Sequence, residues 1–184
     1  MKKFILTFAG MFLALSCFAG GSSLDLKKGN AGVLKEKADA VLEIDYSKTM
    51  VEGKTLDEYL NSRGEDFVRD WPSDKERAQQ YFVARLNQKS KGLQIVNGST
   101  AKYKMIIHVD KLDMGNGGAS FNPFGGVKAG GCIMSGSIEI VEAATGNSVC
   151  VLEVDEVKGV GHVSETIRIG LMYFQLATDV VKFK

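Results

Sequence analysis

Two histidines, three cysteines and one glycine-rich turn ahead of a serine are the residues here whose types suit chemistry. His108 stands two residues before Asp110 in an alternating stretch, so the two are expected as an exposed pair on the polar face of a strand. His162 falls within Gly159-Val160-Gly161-His162-Val163-Ser164, between a strand-like and a helix-like segment. Glycines that precede a helix can offer free backbone amides to an anion, which makes Gly159, Gly161, His162 and Ser164 a candidate ligand-binding set. The same run also reads as a tight strand-to-helix connection capped by Ser164. It lacks the longer glycine spacing of a dinucleotide site and the Lys-Ser/Thr pair of a phosphate loop. Neither histidine has a second His or Cys at a zinc-ligand spacing. No Gly-x-Ser-x-Gly elbow occurs. No catalytic residue, no metal site and no cofactor is therefore assigned.

The elements that must position these residues follow from periodicity. A short strand is expected over Ser23 to Lys27, a turn at Asn30-Ala31-Gly32, and one or two helical turns over Val33 to Ala38. Val41 to Tyr46 is β-branched and aromatic enough for a strand. Thr55-Leu56-Asp57-Glu58 is a capping box for a short helix ending near Gly64. Ser73 and Glu76, just after Pro72, repeat that signature and predict a second helix to about Ser90, with Ala78, Phe82 and Leu86 on its buried face. Lys89 and Lys91 near its end suit the helix dipole.

After Gly92 the period changes to two. Leu93 and Ile95 begin a strand, and Tyr103, Met105, Ile107 and Val109 alternate with Lys104, Ile106, His108 and Asp110. Residues 132–142 and 147–157 read as a hairpin. A three-residue loop, Ala144-Thr145-Gly146, puts Met134, Ile138 and Ile140 on the same side as Cys150, Leu152 and Val154. It pairs Ile140 with Cys150 and needs a left-handed residue at Gly146. That register leaves Cys132 eight residues from the position opposite Cys150, roughly 27 Å away. A disulfide tolerates about 7 Å between Cα atoms, so both thiols are expected free, with Cys150 buried. Ser164 to about Phe183 is the last helix. Its apolar residues are Ile167, Leu171, Phe174 and Val181 on one side, widened by Ile169, Tyr173, Leu176 and Val180. Burial against the sheet is expected, with Gly170 admitting close approach of helix to sheet. The fold class is α+β: a two-layer sandwich in which a mostly antiparallel sheet of about four strands carries two main helices on one face.

The first residues bound the setting. MKKFILTFAGMFLALSCFAGG has two lysines, an apolar run from Phe4 to Leu15 and small residues after it, the pattern of a signal peptide over 1–19. The run is shorter than the roughly 18 apolar residues of a spanning helix, and no comparable stretch follows, so no transmembrane helix is expected in the mature chain. Two export readings stand. Cleavage after Ala19 gives a secreted chain, whereas Ala14-Leu15-Ser16-Cys17 as an imperfect lipoprotein box would place two acyl chains on Cys17 and anchor it stably. Residues 20–37 are a Gly-, Ser- and Lys-rich lead-in, and 38–184 are expected to form a single α+β domain. Loss of Lys2 and Lys3 takes 23 basic residues to 21, against 22 acidic ones. A near-neutral chain without a basic block argues against nucleic acid as a partner. Its 45% hydrophobic content excludes disorder.

In the stretches DYSKTMVEGKTLDEYL, DFVRDWPSD, AKYKMIIHVDKLDMG, FNPFGGVKAGG and DEVKGVGHVSET, the chain resembles an uncharacterised family of exported Bacteroidota-type proteins. The resemblance covers nearly the whole mature chain and brings no activity with it. The element order is also similar to small envelope-assembly lipoproteins, such as the lipopolysaccharide-assembly plug proteins. That second likeness is one of topology only. For an exported chain the expected setting is the cell envelope, in the periplasm or associated with the outer membrane, with an envelope protein or the membrane surface as partner.

The segment 114–131 is the most telling. It joins two strands that a short turn could join, and exceeds the roughly 12–15 residues beyond which unstructured loops are uncommon and often functional. It holds six glycines between 115 and 130, and Lys128 is its only charge. Yet Phe121, Pro123, Phe124 and Val127 are apolar where a solvated loop would be polar, so something should cover them. Either the segment folds over the sheet face left bare by the helices, or Phe121, Asn122, Pro123, Phe124 and Val127 form a contact tip for a partner. The function expected is a non-enzymatic, exported, envelope-associated domain binding another envelope component through this loop. The alternative is a small-ligand-binding or hydrolytic domain using Gly159–Ser164 with His162. The oligomeric state is open.

Overall fold

The computed structural model describes residues 23–98, 100–116, 120–122, 126–128 and 130–183. Strand β1 (Leu24–Gly29) leads to a 3-10 helix (Ala31–Lys35) that buries Val33 and Leu34. Strand β2 (Asp39–Asp45) is followed by the small hairpin β3 (Met50–Val51) and β4 (Lys54–Thr55). Helices α1 (Leu56–Arg63) and α2 (Glu65–Lys89) follow. Next come β5 (Gln94–Ile95), β6 (Tyr103–Asp113), β7 (Ser120–Asn122), β8 (Gly126–Lys128), β9 (Ile133–Glu142) and β10 (Ser148–Lys158). Helix α3 (Glu165–Lys182) closes the fold.

The class is α+β, but the sheet is larger and more mixed than the sequence predicts. Eight strands form it, in the order β1-β10-β9-β6-β2-β5, with β3 beside β6 and β4 beside β3. The pairs of β10 with β1 and β9, and of β9 with β6, are antiparallel, whereas β2 runs parallel to both β6 and β5. The reason lies in α1 and α2. They carry the chain from β2 back to its starting end, as a parallel crossover requires. Three helices rather than two accompany the sheet.

Local chemistry accounts for most boundaries. Thr55 caps α1 in a reciprocal capping box with Glu58, as expected. Ser73, in contrast, caps nothing: α2 starts at Glu65 and runs through Pro72. An internal proline costs about 3 kcal/mol. Burial of Trp71, edge-on to Tyr46 with ring centroids 5.4 Å apart, offsets it by a similar about 3 kcal/mol. Tertiary packing thus overrides a local stop signal.

One face of the sheet is fully buried, with Met105, Ile107, Ile138, Ile140, Cys150 and Leu152 facing the helices. The β9–β10 hairpin has the expected register, with Cys150 opposite Ile140, and Gly146 takes φ +72°. Ala78, Phe82 and Leu86 are buried on α2 as expected. Helix α3 turns differently from expectation. Ile169, Tyr173, Leu176 and Val180 are its buried side, while Phe174 is partly exposed beneath the Arg85 guanidinium, 4.5 Å from the ring centroid. Gly170 faces α2 rather than the sheet: a Cβ there would come within 2.9 Å of the Tyr81 ring. Among the described residues no helix is long and apolar enough to cross a membrane.

Candidate functional site

Strands β6 and β9 are antiparallel neighbours whose pairing continues to Asp113 opposite Ile133. A tight turn could close them there. Instead the chain leaves the sheet, and β7 pairs with β8 as a separate two-stranded sheet, with Phe121 opposite Val127 and Asn122 opposite Gly126. The long glycine-rich segment is therefore a hairpin on a neck. Phe121, Asn122 and Val127 belong to its strands by backbone; Pro123 and Phe124 lie outside the described residues, as does Cys17.

The neck is tightly built. The Gly130 N–H donates to Asn116 O at 2.9 Å, and the Gly159 N–H donates to Cys132 O at 2.9 Å. Backbones touch where side chains would not fit: a Cβ on Gly131 would lie 1.9 Å from Gly159 O, and one on Gly159 would lie 2.6 Å from Met172 N of α3. The neck of the hairpin, the Gly159–Ser164 connection and α3 thus pack main chain against main chain. Two candidate sites that the sequence kept apart are one place in the fold.

Arg168, on the first turns of α3, ties that place together. It is 2% exposed. Its Nε donates to Met114 O at 3.0 Å, and its Nη1 donates to His162 O at 2.8 Å and Val163 O at 3.0 Å. Its Nη2 lies 3.5 Å from Glu165 Oε2, which also meets Arg63 Nη2 of α1 at 3.3 Å. A guanidinium suits this task because its fixed fork of donors reaches several acceptors at once. Of the three carbonyls it satisfies, Met114 O is buried, while those of His162 and Val163 are part-buried. Arg168 carried no functional reading from the sequence. The available signal was an arginine set between Ile167 and Ile169 on a helix with few charges.

The thiol of Cys132 completes the neck by donating to the same Met114 oxygen at 3.0 Å. Burial pushes this thiol up to about 12, so it remains protonated at neutral pH. Cys132 and Cys150 are both free and buried, as the strand register implied. In the folded chain neither is expected to react with iodoacetamide at pH 8 within minutes. After unfolding without reductant each should take one label, and a missing label at both would mean a disulfide that the register forbids.

The helix cap differs from expectation. Ser164 is the N-cap residue of α3, but its side chain makes no capping bond. The Ser164 N–H instead donates to His162 Nδ1 at 3.0 Å, and Ser164 O accepts from the Arg168 N–H at 3.1 Å. His162 therefore stiffens its own loop. With the amides of Gly159 and Ser164 already bonded, those two positions offer no free donor to an anion.

His108 lies elsewhere, on the half-exposed sheet face, and its partner is not Asp110. Its Nδ1 is 3.0 Å from Asp45 Oδ2 on β2, and its Nε2 is 3.6 Å from Glu139 Oε2 on β9. Parallel pairing of β2 with β6 sets Asp45 opposite His108, a neighbour invisible without the crossover. Hydrogen bonds from Ser47, with a smaller contribution from His108, hold the Asp45 carboxyl down at about 2. Ser137 is the cross-strand neighbour of His108. A serine triad needs the distal ring nitrogen on the serine hydroxyl; here that nitrogen faces a carboxylate. Among the described residues no group of three His, Cys, Asp or Glu is placed to hold a metal ion.

No protein-family model and no curated protein matches the chain. Among solved structures it is similar to a PelC dodecamer from Paraburkholderia phytofirmans, at 12% identity and a TM-score of 0.40, over 86% of this chain and 96% of that one. A single-residue variant of the same PelC dodecamer gives 12% identity and a TM-score of 0.41, over 86% and 97%. The likeness is a coarse one of chain course. It carries neither partner nor assembly to this chain.

Proposed function

We propose that the chain is an exported, non-enzymatic domain of the cell envelope that binds another envelope component through the hairpin 120–128. One observation carries this reading: the hairpin is a sheet of its own, inserted where a tight turn would serve, on a neck fixed by buried contacts. A fixed base with an apolar tip sequence suits a presented contact, because a held hairpin loses little conformational freedom on binding. Phe121, Pro123, Phe124 and Val127 supply the apolar anchors and Asn122 the polar handle. Either export reading, a signal peptide over 1–19 or a lipoprotein box at Cys17, supports a contact in the periplasm or at the outer membrane. The ligand-binding or hydrolytic reading of Gly159, Gly161, His162 and Ser164 has less behind it, since Gly159 packs against the neck and His162 and Ser164 bond within their own loop and to Arg168.

The test is the double substitution Phe121→Ser with Phe124→Ser. Denaturant unfolding should shift by no more than about 0.5 kcal/mol, as for surface positions, while the fraction recovered with envelope membranes falls. A clear loss of stability would make the segment core cover, and retained association would remove the hairpin from the contact.

A further inference from the structure

At the far end of α3, about 18 Å along its axis from Arg168, the core opens into a crevice of about 270 Å³. Leu34, Leu86, Leu93, Met105, Val180 and Phe183 line it, and Lys35, Lys89 and Lys91 stand around it. Its described lining contains no carboxylate. The three lysines are exposed, and among the described residues no ion pair engages them, whereas nearby Lys102 and Lys104 are paired with Glu36 and Glu43. The dipole of α2 accounts for Lys89 at its C-terminus. It does not account for Lys35 or Lys91, which lie outside the α-helices.

The rim is fixed by main chain. A Cβ on Gly92 would come within 2.4 Å of Leu34 O and 2.6 Å of Lys35 Cα, so the 3-10 helix sits directly on this glycine. The Leu93 N–H donates to Leu34 O at 3.1 Å. Lys35 and Lys91 are thereby held beside one another, across an apolar opening. Unpaired ammonium groups favour an anion, and an apolar crevice favours hydrocarbon. One molecule with both parts satisfies both.

We propose that this crevice binds a single-chain anionic amphiphile, a free fatty carboxylate, with its tail between α2 and the end of α3 and its head among Lys35, Lys89 and Lys91. Its volume lies just below the usual range of ligand pockets, which begins at about 300 Å³, and favours one short acyl chain over a two-chain lipid.

Calorimetric titration with sodium decanoate, below its micelle range, tests this. Saturable binding of one decanoate per chain is expected, weakened about tenfold in the combined Lys35→Gln, Lys89→Gln, Lys91→Gln variant and weakened by added salt. Decyltrimethylammonium, with the same tail and opposite charge, should bind less well. The Phe121→Ser, Phe124→Ser variant should bind decanoate unchanged, so failure here is separate from failure of the hairpin contact. Absence of saturable decanoate binding, equal binding of the cationic probe, or an unaffected triple variant would overturn the proposal. So would sedimentation with phosphatidylglycerol vesicles through the same lysines without decanoate binding, which would make the rim a membrane-facing patch.

Discussion

Replacing Arg168 with methionine is expected to destabilise the chain by about 2–3 kcal/mol, the cost of removing hydrogen bonds made by a buried charged donor. Methionine fills similar volume, so the loss comes from polar groups. The carbonyls of His162 and Val163 lose their guanidinium donor, Met114 O keeps only the Cys132 thiol, and Glu165 retains Arg63 alone. Arg168→Lys keeps the charge but offers a point rather than a fork, so it should recover less than half of the loss. Denaturant unfolding measures the total. Amide exchange locates it, with earlier exchange expected at Gly130 and Gly159, whose N–H groups close the neck. A methionine variant within about 1 kcal/mol of the parent, an ordinary effect for a point substitution, would show that these bonds do not hold the neck.

Adding one methyl group at Gly159 or Gly131 should cost about 3 kcal/mol each, by overpacking. The obstacles are main-chain atoms, Met172 N and Gly159 O, which cannot rotate aside as a side-chain end would. The two sites share Gly159, so the double alanine variant should lose less than twice the single effect. Gly146→Ala supplies the contrast. No atom lies within 4 Å of its added Cβ, but its φ of +72° strains alanine, so a loss of about 1 kcal/mol is expected. Equal effects at Gly146 and Gly159 in thermal unfolding would mean that close approach at the neck is not the reason for glycine there.

These positions also show how far the sequence reaches. The Thr55 capping box, the alternation from Tyr103 to Val109, and the Cys150–Ile140 register were legible because each is set by neighbours a few residues away or by one tight turn. The parallel placement of β2 was not. It depends on α1 and α2 carrying the chain back, and no residue of β2 states its direction. The β3–β4 hairpin carried only half of its signature: Glu52 and Gly53 both take positive φ in its two-residue turn, where Asn-Gly or Asp-Gly is the usual pair. Pro72 misled because burial of Trp71, a long-range contact, outweighs its local cost. At the site, the sequence marked both Gly159–Ser164 and the 114–131 segment. It could not show that they meet, because the link is Arg168, whose partners are carbonyl oxygens. Main-chain acceptors leave no side-chain signature.

A presented contact on the β7–β8 hairpin should be captured by photocrosslinking in intact cells. A photoreactive phenylalanine analogue is placed at Phe124 in one variant and at Thr145, in the turn between β9 and β10, in another. Both variants should unfold like the parent. One discrete, light-dependent adduct of envelope material is expected from position 124 and none from position 145. No adduct from position 124, or the same adduct from both positions, would contradict a presented contact.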